Sequence, residues 1–261
     1  MFLFWISLFV VGFALAWLTY QWACRMQLMA VVDLLWTFGL GLGAVAYLFY
    51  SGVNTPLGYT VCLLILLWSL RLSYHLFSDR VLKGQEDPRY ASLAEFWGKD
   101  AKRNFLGLFF VQVVFVALFL WPVSVAIDAA DMAWMWTDWL AIAIALVAMA
   151  GESLADRQLA SFRKEASNKG KVCQHGLWRY SRHPNYFFEW LHWWTYVAFA
   201  WGSDSWWGTL LGPAAMYVFL RFLTGIPHAE RSSLKSRGEA YRQYQLTTSA
   251  FFPWIPHEPQ S

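Results

Sequence analysis

The sequence predicts an all-α, polytopic membrane protein: a helical bundle of seven transmembrane helices, N-terminus outside and C-terminus cytoplasmic. Of its 261 residues 58% are hydrophobic and only 14% charged. It carries 18 Trp, 12 Tyr and 21 Phe, an aromatic load that suits rings seated at the headgroup level. Its Lys and Arg also gather on one side of the apolar stretches, as the positive-inside rule expects of a cytoplasmic face.

A spanning helix needs about 20 mostly apolar residues. Seven stretches qualify: 1–20, 29–50, 57–77, 105–126, 134–151, 186–202 and 206–226. The fifth and sixth are short or polar at one end, so six or eight spans also fit. With seven, one side carries the 21–28 link, the 78–104 loop, the 152–185 loop and the tail after 226. Those segments hold 18 of the 20 Lys and Arg. The N-terminus and the links 51–56, 127–133 and 203–205 hold none; Asp128, Asp131 and Asp204 sit there instead. Arg71 and Arg221 lie toward the basic side of their helices. The formal charge of +3 therefore reports topology and contact with membrane lipids, and no nucleic-acid partner is expected.

The first twenty residues lack a basic n-region and an A-x-A-like cleavage site, so they read as a retained first helix. Cys24, Cys62 and Cys173 show neither metal-ligand spacing nor a disulfide framework, and no metal site is expected. No tandem repeat or flexible linker divides the chain, which reads as a single membrane domain over 1–261.

Polar chemistry concentrates between Gly151 and Glu189. An ionised group in hydrocarbon is expensive unless paired, hydrated or used, so such a cluster is a site hypothesis by default. The fifth helix runs on past the membrane surface as GESLADRQLASFRK. At about 100° per residue, Glu152, Asp156 and Arg163 fall on one stripe. Two acids and an arginine in line suit a ligand carrying both hydrogen-bond donors and phosphate, since the guanidinium fork pairs with phosphate. A solvated helix end with internal salt bridges fits that segment equally well. The loop SNKGKVCQHG adds Lys169, Lys171 and His175 before LWRYSRHPNYFFEWLHWW. Pro184 suits the first turn of a new helix. Asn185, Glu189 and His192 then share a face, while Arg182 and His183 sit beside the free N–H groups that attract anions. A structural network around Glu189 and His192 is the alternative.

Outside this segment, Asp33 in VVDLLWTFG is a lone intramembrane acid that must be paired or neutral. In LLWSLRLSYHLFSDR, Arg71 and Arg80, taken singly, read as snorkelling. Tyr74 can reach a cavity and donate a phenolic proton. QEDPRY at 85–90 is a compact charged turn. Tyr241 and Tyr244 share a helical face in AYRQY, and FFPWIP at 251–256 reads as an amphipathic surface anchor. The glycines of GLGLG at 39–43 open no βαβ unit, so helix packing explains them better than a nucleotide turn. No HExxH, Walker A or G-x-S-x-G motif is present.

Taken in order, VVDLLWTFG, WSLRLSYHLFSDR, GQEDPRY, GESLADRQLASFRK, GLWRYSRHPNYFFEW, TGIPHAE and AYRQY…FFPWIP resemble the steroid 5-alpha-reductase superfamily, most closely its DUF1295 branch of small bacterial-type membrane proteins. The likeness covers nearly the whole chain. It implies a seven-helix reductase fold that holds NADPH on the cytoplasmic side of, here, a bacterial inner membrane. It also implies hydride transfer to the carbon–carbon double bond of a lipophilic enone or steroid-like substrate. In those terms 1–126 is the substrate-cavity half and 134–261 the cofactor-binding half. The reductases' cofactor-facing Asn and Asp resemble Glu152 and Asp156, with Glu replacing a donor by an anion at 152. Their arginine resembles Arg163, their basic loop residue Lys171, and their paired Asn and Glu Asn185 and Glu189. By the same likeness Tyr74 polarises the substrate, Asp33 replaces its acidic partner, and Tyr241 and Tyr244 align with a tail tyrosine. On that reading the phosphates lie near Arg163, Lys171 and Arg182.

RHPNY is also similar to a segment of membrane isoprenylcysteine and phospholipid methyltransferases, which bind S-adenosylmethionine. Glu230, Arg231 and AYRQY mimic their tail elements. The basic contacts a dinucleotide needs favour the reductase. The absence of an evident inverted repeat disfavours a transporter.

Overall fold

The computed structural model describes residues 1–130 and 133–257; Asp131, expected on the acidic side, lies outside them. Among the described residues the regular structure is helical, and six helical runs are long and apolar enough to cross a membrane: Phe2–Met26, Val31–Ser51, Pro56–Val81, Pro88–Ala129, Trp136–Lys164 and Trp206–Arg237. The protein is thus an all-α polytopic membrane protein. The stretch expected to span at 186–202 is two short helices, α7 and α8 below, meeting at Trp193.

The chain forms two compact units, Met1–Met135 with Phe199–Leu211, and Trp136–Ala198 with Gly212–Ser261. In the first, α1 (Phe2–Met26), α2 (Val31–Ser51), α3 (Pro56–Leu76) and α5 (Ala101–Ala129) pack together, with α4 (Pro88–Trp97) against the start of α5. Helix α2 is central and touches the other three long helices. Its glycines explain how. A Cβ on Gly39 would stand 3.2 Å from Val116 and one on Gly43 2.9 Å from Leu120, both on α5. One on Gly41 would stand 2.5 Å from the Ser69 hydroxyl of α3. The GLGLG run is therefore a close-packing surface on two sides of one helix. Ser69 donates to the Thr37 carbonyl at 2.7 Å, and the Thr37 and Ser73 hydroxyls meet at 2.8 Å, tying α2 to α3. Trp36 packs edge-on against Trp68 and Phe119.

Helix boundaries follow local chemistry. Thr55 caps α3, accepting from Gly58 N at 3.0 Å with Pro56 in the first turn. Asp87 caps α4 in the same way, ahead of Pro88. Both obey the preference for a short oxygen-bearing cap followed by proline.

The second unit contains α6 (Trp136–Lys164), α7 (Pro184–His192), most of α8 (Trp194–Ala200) and of α9 (Leu211–Val218), α10 (Ile226–Arg237) and α11 (Glu239–Thr247). Helix α6 continues unbroken through GESLADRQLASFRK, and α7 begins at Pro184, as their sequences predict.

Gly41→Leu forces a side chain into the space held by Ser69 and Leu66. It should lower stability by about 1–3 kcal/mol, read as a lower thermal unfolding midpoint in detergent. Gly52, with open space around it but a left-handed backbone, should tolerate Asn far better. Equal losses at the two positions would contradict the packing role.

Candidate functional site

The polar residues of the second unit converge where α6 meets α7. The crossing is set by size: a Cβ on Gly151 would stand 2.4 Å from the ring of Phe188. That approach brings the next turn of α6 to the start of α7. Asn185 donates its amide to Asp156 at 3.2 Å and accepts from Tyr186 N at 3.1 Å. Glu152 and Glu189 are 5% and 6% exposed, so two carboxyls are withdrawn from bulk solvent at the same crossing. One turn beyond Glu189, His192 is fully buried, its Nε2 2.8 Å from the Tyr196 hydroxyl. A group of carboxylates with an amide is an acceptor-rich surface, suited to a ligand presenting hydroxyl or amide N–H donors.

The loop between these helices is shaped by α6. Gly176 adopts φ 59°, and any side chain there would strike Gln158. Gln158 accepts from Leu177 N at 2.9 Å, and the Trp178 indole donates to the Ala155 carbonyl at 2.9 Å. Arg163 and Lys171 are exposed at this end, and the Lys171 carbonyl accepts from Arg237 at 2.9 Å.

Arg182 and His183 point to a different partner. Arg182 donates from Nε to Glu230 at 2.7 Å and from Nη1 to both the Gln245 and Thr248 carbonyls, while Nη2 lies 2.7 Å from the same Glu230 oxygen. Gln245 completes the group by donating to Glu230 at 2.9 Å. A guanidinium so fully engaged fastens the C-terminal helices to the start of α7 and has little left for a phosphate. His183 stacks on Tyr186 with ring centres 5.3 Å apart, and its Nε2 is 3.5 Å from Glu230. Burial pushes its pKa below the ordinary histidine range, outweighing the pull of Glu230.

Tyr241 and Tyr244 pack edge to face at 5.8 Å. Tyr244 donates to the Trp178 carbonyl and lies 3.2 Å from that of Ser181. Burial and the charge of Glu230 push Tyr241 up to about 12, and burial above all raises Tyr244 as well. Both phenols thus remain protonated donors at working pH.

Asp33 and Tyr74 belong to the first unit. Asp33 receives Arg80, Arg89 at 2.9 Å and the Tyr90 hydroxyl at 2.6 Å. Arg80 also meets Asp87 at 2.9 Å, and Arg89 grips Asp87 at 3.0 Å. Burial alone would raise the Asp87 carboxyl, but Arg89 and Arg80 hold it below its usual range. Glu86 accepts from Met29 and Ala30 N–H at the start of α2. Arg80 is therefore an ion-pair partner, not the snorkelling side chain its position suggests alone. Tyr74 is 73% exposed and is not among the groups holding Asp33. Sequence reasoning missed Arg89, Tyr90 and Glu230 as partners. The lone intramembrane acid at Asp33 and the charged QEDPRY turn were the available signal for the first two. Nothing local flagged Glu230 as the partner of Arg182, 48 residues earlier.

Residues 16–248 match the family described as protein of unknown function (DUF1295), and the chain belongs to that family, which is associated with the steroid 5-alpha-reductase-like superfamily. No curated protein matches the chain, and no solved structure does.

The depressed histidine has a sign that can be tested. A group whose folded pKa lies below its unfolded value of about 6.5 leaves the fold fully stable above that pH. Stability is then lost as pH falls toward the folded value, because the unfolded chain binds the proton more tightly. The thermal midpoint should drop between pH 7 and 5, and His183→Phe, which keeps a ring beside Tyr186, should flatten that slope. An unchanged slope would remove His183 as its cause.

Proposed function

We propose that this DUF1295 protein is an NADPH-dependent membrane reductase acting on the carbon–carbon double bond of a lipophilic enone or steroid-like substrate, with its cofactor held at the crossing of α6 and α7. The observation that carries the reading is the Asp156–Asn185 hydrogen bond across that crossing, one turn along each helix from the buried carboxyls of Glu152 and Glu189. The donor set fits the group: acceptors suit ribose hydroxyls and a carboxamide, and Arg163 and Lys171, exposed nearby in sequence, suit phosphates. Arg182 contributes indirectly, by fixing the loop that enters α7. When bound, NADPH would supply hydride to the β-carbon of the conjugated system, with a proton completing the α-carbon. The chain's own part is to orient donors and exclude water, using α6 and α7 as rigid walls. Tyr74 and Asp33 enter the reading by family likeness alone.

The topology in this reading has seven spans in a bacterial inner membrane, with α7 and α8 together forming the sixth, N-terminus out and cofactor on the cytoplasmic side. It is supported by the one-sided placement of Lys and Arg.

A second reading keeps a specific support. Arg182 and His183 of RHPNY both approach Glu230, so the two segments that carry the methyltransferase likeness, RHPNY and the tail around Glu230, meet. On that reading the ligand is S-adenosylmethionine.

Equilibrium binding to the detergent-extracted protein separates the two. NADPH should bind, and Asp156→Ala with Asn185→Ala should weaken it by about 10- to 100-fold, the worth of one or two charge-assisted hydrogen bonds. Neutralising Arg163 and Lys171 together should weaken NADPH more than its dephosphorylated analogue NADH. Tight uptake of S-adenosylmethionine with no response to NADPH would sink the reductase reading.

A further inference from the structure

The FFPWIP segment has no part in the reaction above, yet it is firmly built. Phe251 is buried among Phe187, Trp190 and Tyr217, with ring centres 6.2, 5.8 and 5.3 Å away. Its backbone is pinned on both sides. Arg182 N donates to the Ser249 carbonyl at 2.9 Å, Trp254 N to Tyr180 at 2.9 Å, and His257 N to Thr247 at 2.8 Å. Between these pins Trp254 and Ile255 are 66% and 75% exposed, and Leu246 on α11 is 70% exposed. All three line one open cavity of about 380 Å³, whose wall also includes Ser249 and His257. Arg242 lies one turn before Leu246 on the same face of α11, outside the cavity wall; it is exposed and 3.6 Å from Glu239, an exposed pair that costs little to open.

We propose that this cavity is a site for one anionic phospholipid of the membrane the chain spans. Leu246, Trp254 and Ile255 contact the first acyl carbons, Ser249 and His257 receive the phosphate and glycerol at the cavity wall, and Arg242, outside that wall, supplies positive charge near it. The pinned backbone holds the apolar side chains outward before any ligand arrives, so little ordering cost remains on binding. A Trp beside a cationic side chain is the combination favoured at the headgroup level. Arg182 adds positive charge to the wall, but its own donors are committed to Glu230 and to carbonyls. Lipid is favoured over a soluble anion with the same phosphate chemistry because three exposed apolar side chains frame the opening, and a free phosphate would leave them in water.

The test uses the full chain in a neutral detergent, with native mass spectrometry and titration of a short-chain phosphatidylglycerol. The protein should bind it in preference to the matching phosphatidylcholine. Trp254→Ser with Ile255→Ser should weaken binding about tenfold or more, from lost apolar contact. Arg242→Gln, on a different element, should reduce mainly the preference for the anionic lipid. Glycerol 3-phosphate at equal concentration should not displace the lipid. Unchanged affinity in the double variant, equal binding of the two lipids, or full displacement by glycerol 3-phosphate would each overturn the proposal. NADPH affinity measured in parallel should be unaltered by these substitutions, which keeps this outcome separate from the fate of the reductase reading.

Discussion

The cost of withdrawing an ionised side chain from water governs where this chain puts its polar residues. In the first unit, one carboxylate on α2 is matched by two guanidinium groups and a phenol, and a second acid closes the group. In the second, one arginine is matched by a glutamate and two carbonyls. A half-made version of either cluster would cost several kcal/mol, because removing one partner leaves the other buried and uncompensated. Each cluster therefore acts all or none, fixing the segment that brings the partner: QEDPRY in one case, the C-terminal helices in the other.

Close backbone approach sets the remaining geometry. Gly39, Gly41 and Gly43 let α2 lie against two neighbours, and Gly151 lets α6 accept the Phe188 ring. These contacts are made by van der Waals packing, the main attraction available between helices when the surrounding lipid is as apolar as the side chains. The acceptor-rich crossing of α6 and α7 inherits its position from that one missing side chain.

Much of this was legible in the sequence. Hydropathy located the long helices, Pro184 marked the start of α7, and helical spacing put Asp156 and Asn185 on surfaces that do meet. Helical spacing could not tell which charges pair over distance. Arg182 looked like an anion binder at a helix start, and only the fold shows that Glu230 and the Gln245 and Thr248 carbonyls reach it first. Asp33 announced that it needed a partner but not which of several cations and phenols would arrive. Such pairings depend on how separate helices dock, which no local pattern encodes. The 186–202 stretch shows a different limit: it is apolar enough for one helix, yet the chain breaks it at Trp193.

The fastening of Arg182 has a consequence for how the protein comes into being. Its partners lie 48 to 66 residues further along the chain, and Tyr180 waits for Trp254. Chains are made from the N-terminus at about 5–20 residues per second. The loop leading into α7 is therefore threaded out several seconds before the groups that hold it exist. During that interval the Arg182 guanidinium lacks the partners it has in the finished fold. The fastening at the start of α7 can therefore close only once the chain has been made through Thr248 and, for Tyr180, through Trp254.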